Sequence, residues 1–386
     1  MGHPYRLREI AQQSGLSLAT VDRVLHGRPG VRASTVAEVE QAIADLDRQA
    51  SQLRIGARTY LVDLVMQTPA RFSSAVRSAL EAEPPQLRPA AMRSRFHLQE
   101  TSSPAEVVRV LDRIGRRGSH GVILKAPDAP EVAAAIADLA DRGIPVVTLV
   151  TDVPDSRRIA YIGIDNRAAG ATAAYLVAQW TSGSAGSVLM TLSSSTFRGE
   201  DDRALGFRDT WAELAPGRPV HEIGGTDGLD ASMLDTVRAA LATHPDVDAV
   251  YSIGGGNLAT LEAFRLTGRP CRAFVAHDLD QDNSALLRQR RLSAVLHHDL
   301  RADMRRACRV ILQANSALPG PVHSLPSHIQ VVTPYNEPSA FLPTNPTFPD
   351  EVVTALRRGG YGPRRRATTT SPRGNNHLVR GKGVRG

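Results

Sequence analysis

Short apolar β-type runs alternate with helical stretches from residue 61 to residue 314, and this alternation limits the fold more than any other feature. LVDLVM precedes SSAVRSALEAE, GVILKAP precedes PEVAAAIADLADRG, and IPVVTLV is followed by AYIGID and RAAGATAAYLVAQW. The pattern continues with SVLMTLS before DDRALGFRDTWAEL, VDAVYSIG before NLATLEAFRLTG, RAFVAHD before SALLRQRR, and SAVLHHD before RADMRRACRVILQA. Strands interleaved with helices imply a parallel sheet covered on both faces. The length of the stretch suits two doubly wound lobes better than one.

Ahead of this region lies a different pattern, LREIAQQSGLSLATVDRVL at residues 7–25. Leu7, Ile10 and Ala11 share one helical face, and Leu18, Val21, Val24 and Leu25 recur at helical spacing, with Ser17 as N-cap. Ala11, Gly15 and Val21 supply what a helix-turn-helix needs: a small residue where helices approach, a glycine at the sharp turn and a branched apolar residue in the angle. An ordinary αα-hairpin is the alternative. Against it stands the polar face of Ser17, Ala19, Thr20, Arg23 and His26, short residues plus one Arg, suited to a major groove that admits a helix. A third helix, capped by Ser34 or Thr35, is expected to reach about residue 46, its Val36, Val39, Ile43 and Leu46 closing a three-helix headpiece.

The stretch TVDRVLHGRPGVRASTVAEVEQAI resembles the headpiece of the lactose-repressor/galactose-repressor (LacI/GalR) family, whose motif runs TVSRVLNG and then V-x-x-x-T. Here those features are residues 20–27, Val31 and Thr35, with Asp22 and His26 in place of the usual Ser and Asn. The resemblance continues through RRIAYIGIDNRAAG and the R-x-x-G-F of Arg203 to Phe207, over roughly residues 5–335. It implies an all-α helix-turn-helix headpiece over 1–48, a hinge linker over 49–58 and a two-lobed, periplasmic-binding-protein-like (type I) α/β core with parallel sheets over 59–340. A disordered basic tail is expected over 341–386. The DNA-facing residues would be Ser17, Leu18, Ala19, Thr20, Arg23 and His26. In the hinge, Ala50-Ser51-Gln52-Leu53 resembles the family's helix, which would place Leu53 as a wedge that kinks DNA from the minor groove; a plain flexible linker is the alternative.

Charge does not carry the DNA reading. The net charge of +7 resides in residues 363–386, which hold seven basic residues and no acid. The DNA reading rests on the motif, helped by a modest basic excess in the first 35 residues. The chain has no run of 18 apolar residues and its N-terminus shows no apolar signal region, so neither a membrane span nor a signal peptide is expected. Its two cysteines, Cys271 and Cys308, lack metal or redox spacing, as suits a reducing cytosol. Of 46 basic residues only Lys125 and Lys382 are lysines.

Ligands in open α/β sheets sit at the carboxyl ends of the strands. Those ends carry Lys125, Asp128, Asp152, Asp165, Arg203, Asn257, Asp278 and His298, with Phe72 in the loop after the first strand. Carboxylates, amides and an Arg or Lys around an aromatic are the groups that bind sugars. By resemblance, Asp165, Arg203 and Asp278 match family ligand positions, as do Phe72, Lys125, Asn257 and His298. A helix cap or a surface charge is the alternative for each of them. Gly254-Gly255-Gly256-Asn257-Leu258-Ala259 also satisfies G-x-G-x-x-[GA], with Asp278 downstream, which is the case for a nicotinamide-dependent dehydrogenase. Too little chain follows Asp278 for a full dinucleotide domain, and the headpiece would be unexplained. His297-His298-Asp299 looks like a metal cluster, but neighbours on a strand point to opposite faces. No H-E-x-x-H, G-x-S-x-G or phosphate-loop lysine motif is present. The sequence therefore predicts a cytoplasmic, homodimeric transcriptional regulator, without cofactor, metal or membrane contact, that reads a palindromic double-stranded operator and binds a small polar effector, a carbohydrate.

Overall fold

Gly15 and Ser17 set the geometry of the N-terminal unit. Helix α1 (Leu7–Ser14) ends on Gly15 in the left-handed region (φ 71°), and Ser17 then caps α2 (Leu18–Leu25) by accepting from the Thr20 amide at 3.2 Å. Ile10, Ala11 and Val21 pack on Val39 and Ala42 of α3 (Ala33–Ala57), with Val24, Leu25, Ile43 and Leu46 around them. Leu7 and Leu18, both expected on the apolar stripe, are exposed instead, and Leu18 keeps 53% of its surface in solvent. In such a small unit the stripe is narrow, and both residues fall at its edge.

The computed structural model describes residues 5–57, 59–83, 91–193, 197–225 and 229–338, the side chains of 48–57 excepted. The third helix departs from expectation at both ends. It starts at Ala33, so Ser34 and Thr35 lie within its first turn rather than capping it. It then runs unbroken through 49–57, where a separate linker was expected. The run Asp47 to Arg54 contains no Gly or Pro to stop it. The side chain of Leu53 and the tail over 341–386 lie outside the described residues.

The core consists of two α/β lobes. In lobe 1, β1 (Thr59–Gln67), β2 (Ala91–Gln99), β3 (Gly121–Lys125), β4 (Val146–Leu149) and β5 (Ala160–Ile162) pair in parallel in the order β2-β1-β3-β4-β5. Helices α4 (Ala70–Glu81), α5 (Pro104–Arg117), α6 (Pro130–Asp141) and α12 (Leu300–Ala314) cover this sheet. Lobe 2 orders β6 (Ser187–Thr191), β7 (Val220–Ile223), β8 (Val247–Ser252), β9 (Ala273–His277), β10 (Ala294–His297) and β11 (Gln330–Val332) as β11-β10-β9-β8-β6-β7. Only β11 is antiparallel. Its helices are α7 (Asn166–Trp180), α8 (Arg198–Leu214), α9 (Asp230–Thr243), α10 (Asn257–Leu266) and α11 (Gln281–Arg288). Without β11, both lobes share one doubly wound order. Strands β3, β6, β8 and β9 are buried at every position, the mark of parallel strands covered on both faces.

Two details of packing position the site. Helices α7 and α8 cross backbone to backbone: a Cβ on Gly170 would lie 1.9 Å from the Arg203 carbonyl oxygen, and one on Gly206 would lie 2.0 Å from that of Arg167. The chain also passes between the lobes at 163–165, at 298–299 and between α12 and β11. These passages are joined where Ile164 bridges Ser327 and the Ser327 amide donates to the Gly163 carbonyl at 2.7 Å. Asp303, 1% exposed, accepts from Ser327 Oγ at 2.6 Å, from the Arg306 guanidinium at 2.6 Å and from His298 Nδ1. One carboxylate thus ties two of the three passages together.

Candidate functional site

A cavity of about 340 Å³ lies between the lobes at the carboxyl ends of their strands. Gln67 at the end of β1, Thr68 and Pro69 after it, Arg71 and Phe72 in the first turn of α4, and Lys125 at the end of β3 form one wall, and Ser193 after β6 and residues 253–255 after β8 face them. In both lobes these are the points where strand order reverses, which is where doubly wound sheets open a crevice.

Lys125 is 8% exposed, donates to the Gln67 carbonyl at 3.0 Å, and has Nζ 4.1 Å from the centre of the Phe197 ring. Burial pushes its ammonium down to about 8, against the pull of Glu200 and Asp278. Across the cavity Arg203, 3% exposed, is aimed by α8, and its Nε donates to Asn166 Oδ1 at 2.8 Å. Asn166 in turn donates to the Val150 carbonyl at 3.1 Å and to the Tyr161 hydroxyl at 3.0 Å. One terminal nitrogen of Arg203 is buried without a partner. Asp278 follows β9 with φ 62°, an uncommon conformation for a residue other than glycine, and its Oδ1 has no hydrogen-bond partner. Val150, also lining the cavity, is held at φ 66°, a strained value for a β-branched residue.

The cavity brings Phe72, Lys125, Arg203 and Asp278 together. Asn257 and His298, expected among the ligand residues, stand behind this wall. Asn257 donates to Asn283 Oδ1 at 2.7 Å, and Asn283 donates to the carbonyls of His277 and Asp278 at 3.0 and 2.7 Å. His298, 1% exposed, has Nε2 3.7 Å from Asp278 Oδ1 and Nδ1 on Asp303. Asp165 lies outside the cavity. It is exposed and accepts from the Ala168 amide as the cap of α7, because a short carboxylate at that position satisfies an otherwise free helix-end donor. Asp152 is likewise structural, bound to Thr148 and Arg158.

Sequence reasoning missed Arg71, Phe197, Glu200, His277 and Asp280, all of which line the cavity. Arg71 of lobe 1 pairs with Asp280 of lobe 2 at 3.0 Å, while burial pushes the Asp280 carboxyl up to about 6. His277, bonded to the Tyr251 hydroxyl at 2.7 Å, is pushed well below its ordinary value by burial and stays neutral. The Asp280-x-x-Asn283 spacing is a helix-cap signal that pointed to α11; the others carried none. The glycine turn serves packing: a Cβ on Gly254 would meet the Ser193 amide nitrogen at 2.2 Å, and one on Gly256 would meet Met233. Nothing in this arrangement favours the dehydrogenase alternative.

In the N-terminal unit, α2 exposes Ser17, Leu18, Ala19, Arg23 and His26, with Thr20 half-buried and its hydroxyl 2.8 Å from that of Ser17. Arg23 reaches back to the Pro29 carbonyl at 3.3 Å. Asp22, which the motif leaves beside Arg23, pairs with His26 at 3.0 Å and Arg28 at 3.3 Å, so its charge is partly answered within the headpiece.

Comparison with known proteins agrees with this division. The family of bacterial regulatory proteins of the lacI type matches residues 6–49, and the periplasmic binding protein domain family matches residues 88–315. None of the curated proteins compared matches the chain. Among solved structures, the chain is similar to GanP, a glucose-galactose binding protein from Geobacillus stearothermophilus, at 22% identity and TM-score 0.65, over 73% of this chain and 99% of that one. A solute-binding protein from Burkholderia graminis in complex with D-arabinose matches at 20% identity and TM-score 0.64, over 71% and 95%. A putative LacI transcriptional regulator from Bacteroides fragilis matches at 13% identity and TM-score 0.63, over 72% and 97%. At such identities the likeness is one of fold. A DNA-reading headpiece on a two-lobed ligand-binding core defines the class, a ligand-responsive transcriptional regulator. The chain belongs to the LacI/GalR family.

Proposed function

We propose that this regulator is a cytoplasmic homodimer that represses transcription from a palindromic operator, has no enzymatic activity, and is controlled by a carbohydrate effector. In this reading residues 1–48 read DNA through Ser17, Leu18, Ala19, Thr20, Arg23 and His26. One helix reads only a few base pairs, so two copies are needed for specific affinity. Residues 59–340 bind the effector and another copy of the chain.

The observation that carries the effector reading is the composition of the cavity. Phe72 offers an aromatic surface, Arg203 a fork of donors and Asp278 an unpartnered acceptor, the groups that hold a polyhydroxyl ligand. Neighbours of the same fold, such as the glucose-galactose binding protein, bind sugars in their own right. Lobe closure on the effector would shift the headpieces through a coupling free energy of ~1–3 kcal/mol. The test is operator binding by fluorescence anisotropy across a carbohydrate panel, on wild type and Arg203→Ala. The expected variant binds operator as wild type does but no longer responds to the sugar. A variant that responds normally would remove Arg203 from the site, and NADH binding with no sugar response would overturn the reading.

A further inference from the structure

The hydrogen-bonding groups that line the cavity are not evenly engaged. Of the four carboxylates among its described lining residues, Asp280 is paired with Arg71 and accepts from the Asn283 amide at 2.8 Å. Both oxygens of Glu200 are taken by Ser193, from the amide at 2.8 Å and the hydroxyl at 2.5 Å. Glu100 accepts from the Ala70 amide at 3.0 Å and is exposed. Only Asp278 keeps a buried oxygen free. The two remaining cations are less satisfied. Among the described residues Lys125 bonds only to a carbonyl and lies over an aromatic face, and Arg203 bonds only to an amide oxygen. Among the described residues neither forms an ion pair, and both are more than nine-tenths buried.

We infer that the effector carries an anionic group, a carboxylate or a phosphate on its polyhydroxyl frame, held by Lys125 from one lobe and Arg203 from the other. This rests on the carbohydrate reading of the cavity and narrows it. Glu200 and Asp278 offset the repulsion between the two cations, yet among the described residues neither carboxylate bonds to either of them, so donors of both remain to be met by an anion seated between them. Residue choice points the same way. The chain uses lysine at two positions among 46 basic residues, and one of them closes β3 against this cavity. An ammonium is a compact point charge with rotatable donors, so Lys125 can stay over the Phe197 ring while turning a proton toward an anion. Asp278 is left to accept from hydroxyls.

The full chain is titrated by calorimetry with matched pairs: galactose and galacturonate, glucose and gluconate, ribose and ribose 5-phosphate. The acid of at least one pair is expected to bind about tenfold or more tightly than its neutral partner, and less tightly as salt rises. Lys125→Met, close in volume and free of the charge, should fold and lose about tenfold for that acid, bringing the pair's ratio toward one. Whether the carboxylates or the phosphate respond identifies the anion. Equal or tighter binding of every neutral partner overturns the inference and leaves the carbohydrate reading standing, as does unchanged acid affinity in a folded Lys125→Met. If no member of any pair binds, the carbohydrate reading fails and the inference with it.

Discussion

Asp303→Asn exchanges one oxygen for nitrogen at the junction of the lobes, and the structure sets how much that should cost. The carboxylate accepts from His298 Nδ1, Ser327 Oγ and Arg306, and its side chain and that of His298 are each 1% exposed. Asparagine keeps one acceptor oxygen and turns two donors toward groups that themselves donate. Breaking a buried charge pair costs about 3–5 kcal/mol. Arg306 is 34% exposed and water can solvate part of its charge, so about 2–4 kcal/mol is expected. Thermal unfolding of the core should shift down by roughly 5–10 °C. The pH dependence gives a second check. Burial alone would raise the Asp303 carboxyl, but the bonds from His298, Ser327 and Arg306 outweigh it and hold the group below its ordinary 3.8. A depressed native value means the stabilisation is full above the unfolded value and is lost as pH falls through the native one. The gap between wild type and variant should therefore be constant near neutrality and shrink below pH 3.8. A variant melting within about 1 °C of wild type at neutral pH would refute the reasoning.

Four further outcomes are expected. Arg23→Ala should weaken operator binding by about 1–3 kcal/mol in an anisotropy titration while effector affinity stays unchanged. Gly206→Ala, whose methyl would sit 2.0 Å from the Arg167 carbonyl oxygen, should destabilise the core by about 3 kcal/mol or more in chemical denaturation. Asp63, buried with Arg95, Arg117 and His97 around it, has its carboxyl lowered to about 2, because the bonds from His97, Arg95 and Ser119 outweigh the effect of burial. Its contribution of about 2 kcal/mol should fade as pH falls from 3.8 towards 2, a loss Asp63→Asn would not show in acid titration. Because burial pushes the Lys125 ammonium to about 8, binding of an acidic effector should decline above that pH, measurable by calorimetry in two buffers.

The alternation of apolar runs and helices was enough to read two parallel-sheet lobes, because strands covered on both faces advertise themselves by unbroken apolarity. Strands β2, AMRSRFHLQ, and β7, VHEI, escaped that reading. Both are edge strands, and at the edge polar side chains are tolerated and even useful. Helix α5 escaped despite a clear signal, since Ser103 and Glu106 form a reciprocal capping box at its start. In the site, Arg203 and Asp278 were legible because they follow strands in recognisable sequence. Arg71 and Asp280 were not: their pairing exists only once two lobes meet, and no spacing within one chain segment encodes it. Asp165 misled because a cap and a ligand ask for the same carboxylate at the same strand end.

The crossing of α7 and α8 has a consequence for how such a protein acquires new specificities. Glycine at 170 and 206 brings main chain against main chain, so α8 packs directly on the helix that starts at Asn166 and neither position admits a side chain. In the proposed site Arg203 is therefore presented from a closely packed helix pair. On the proposed site, a new specificity would come more readily from exchanging cavity side chains such as Lys125, Phe197 or Asp278 than from moving this pair of helices. Descendants of this sequence would change what they sense in single mutational steps while the scaffold, and the signal it relays to the headpiece, passes down unaltered.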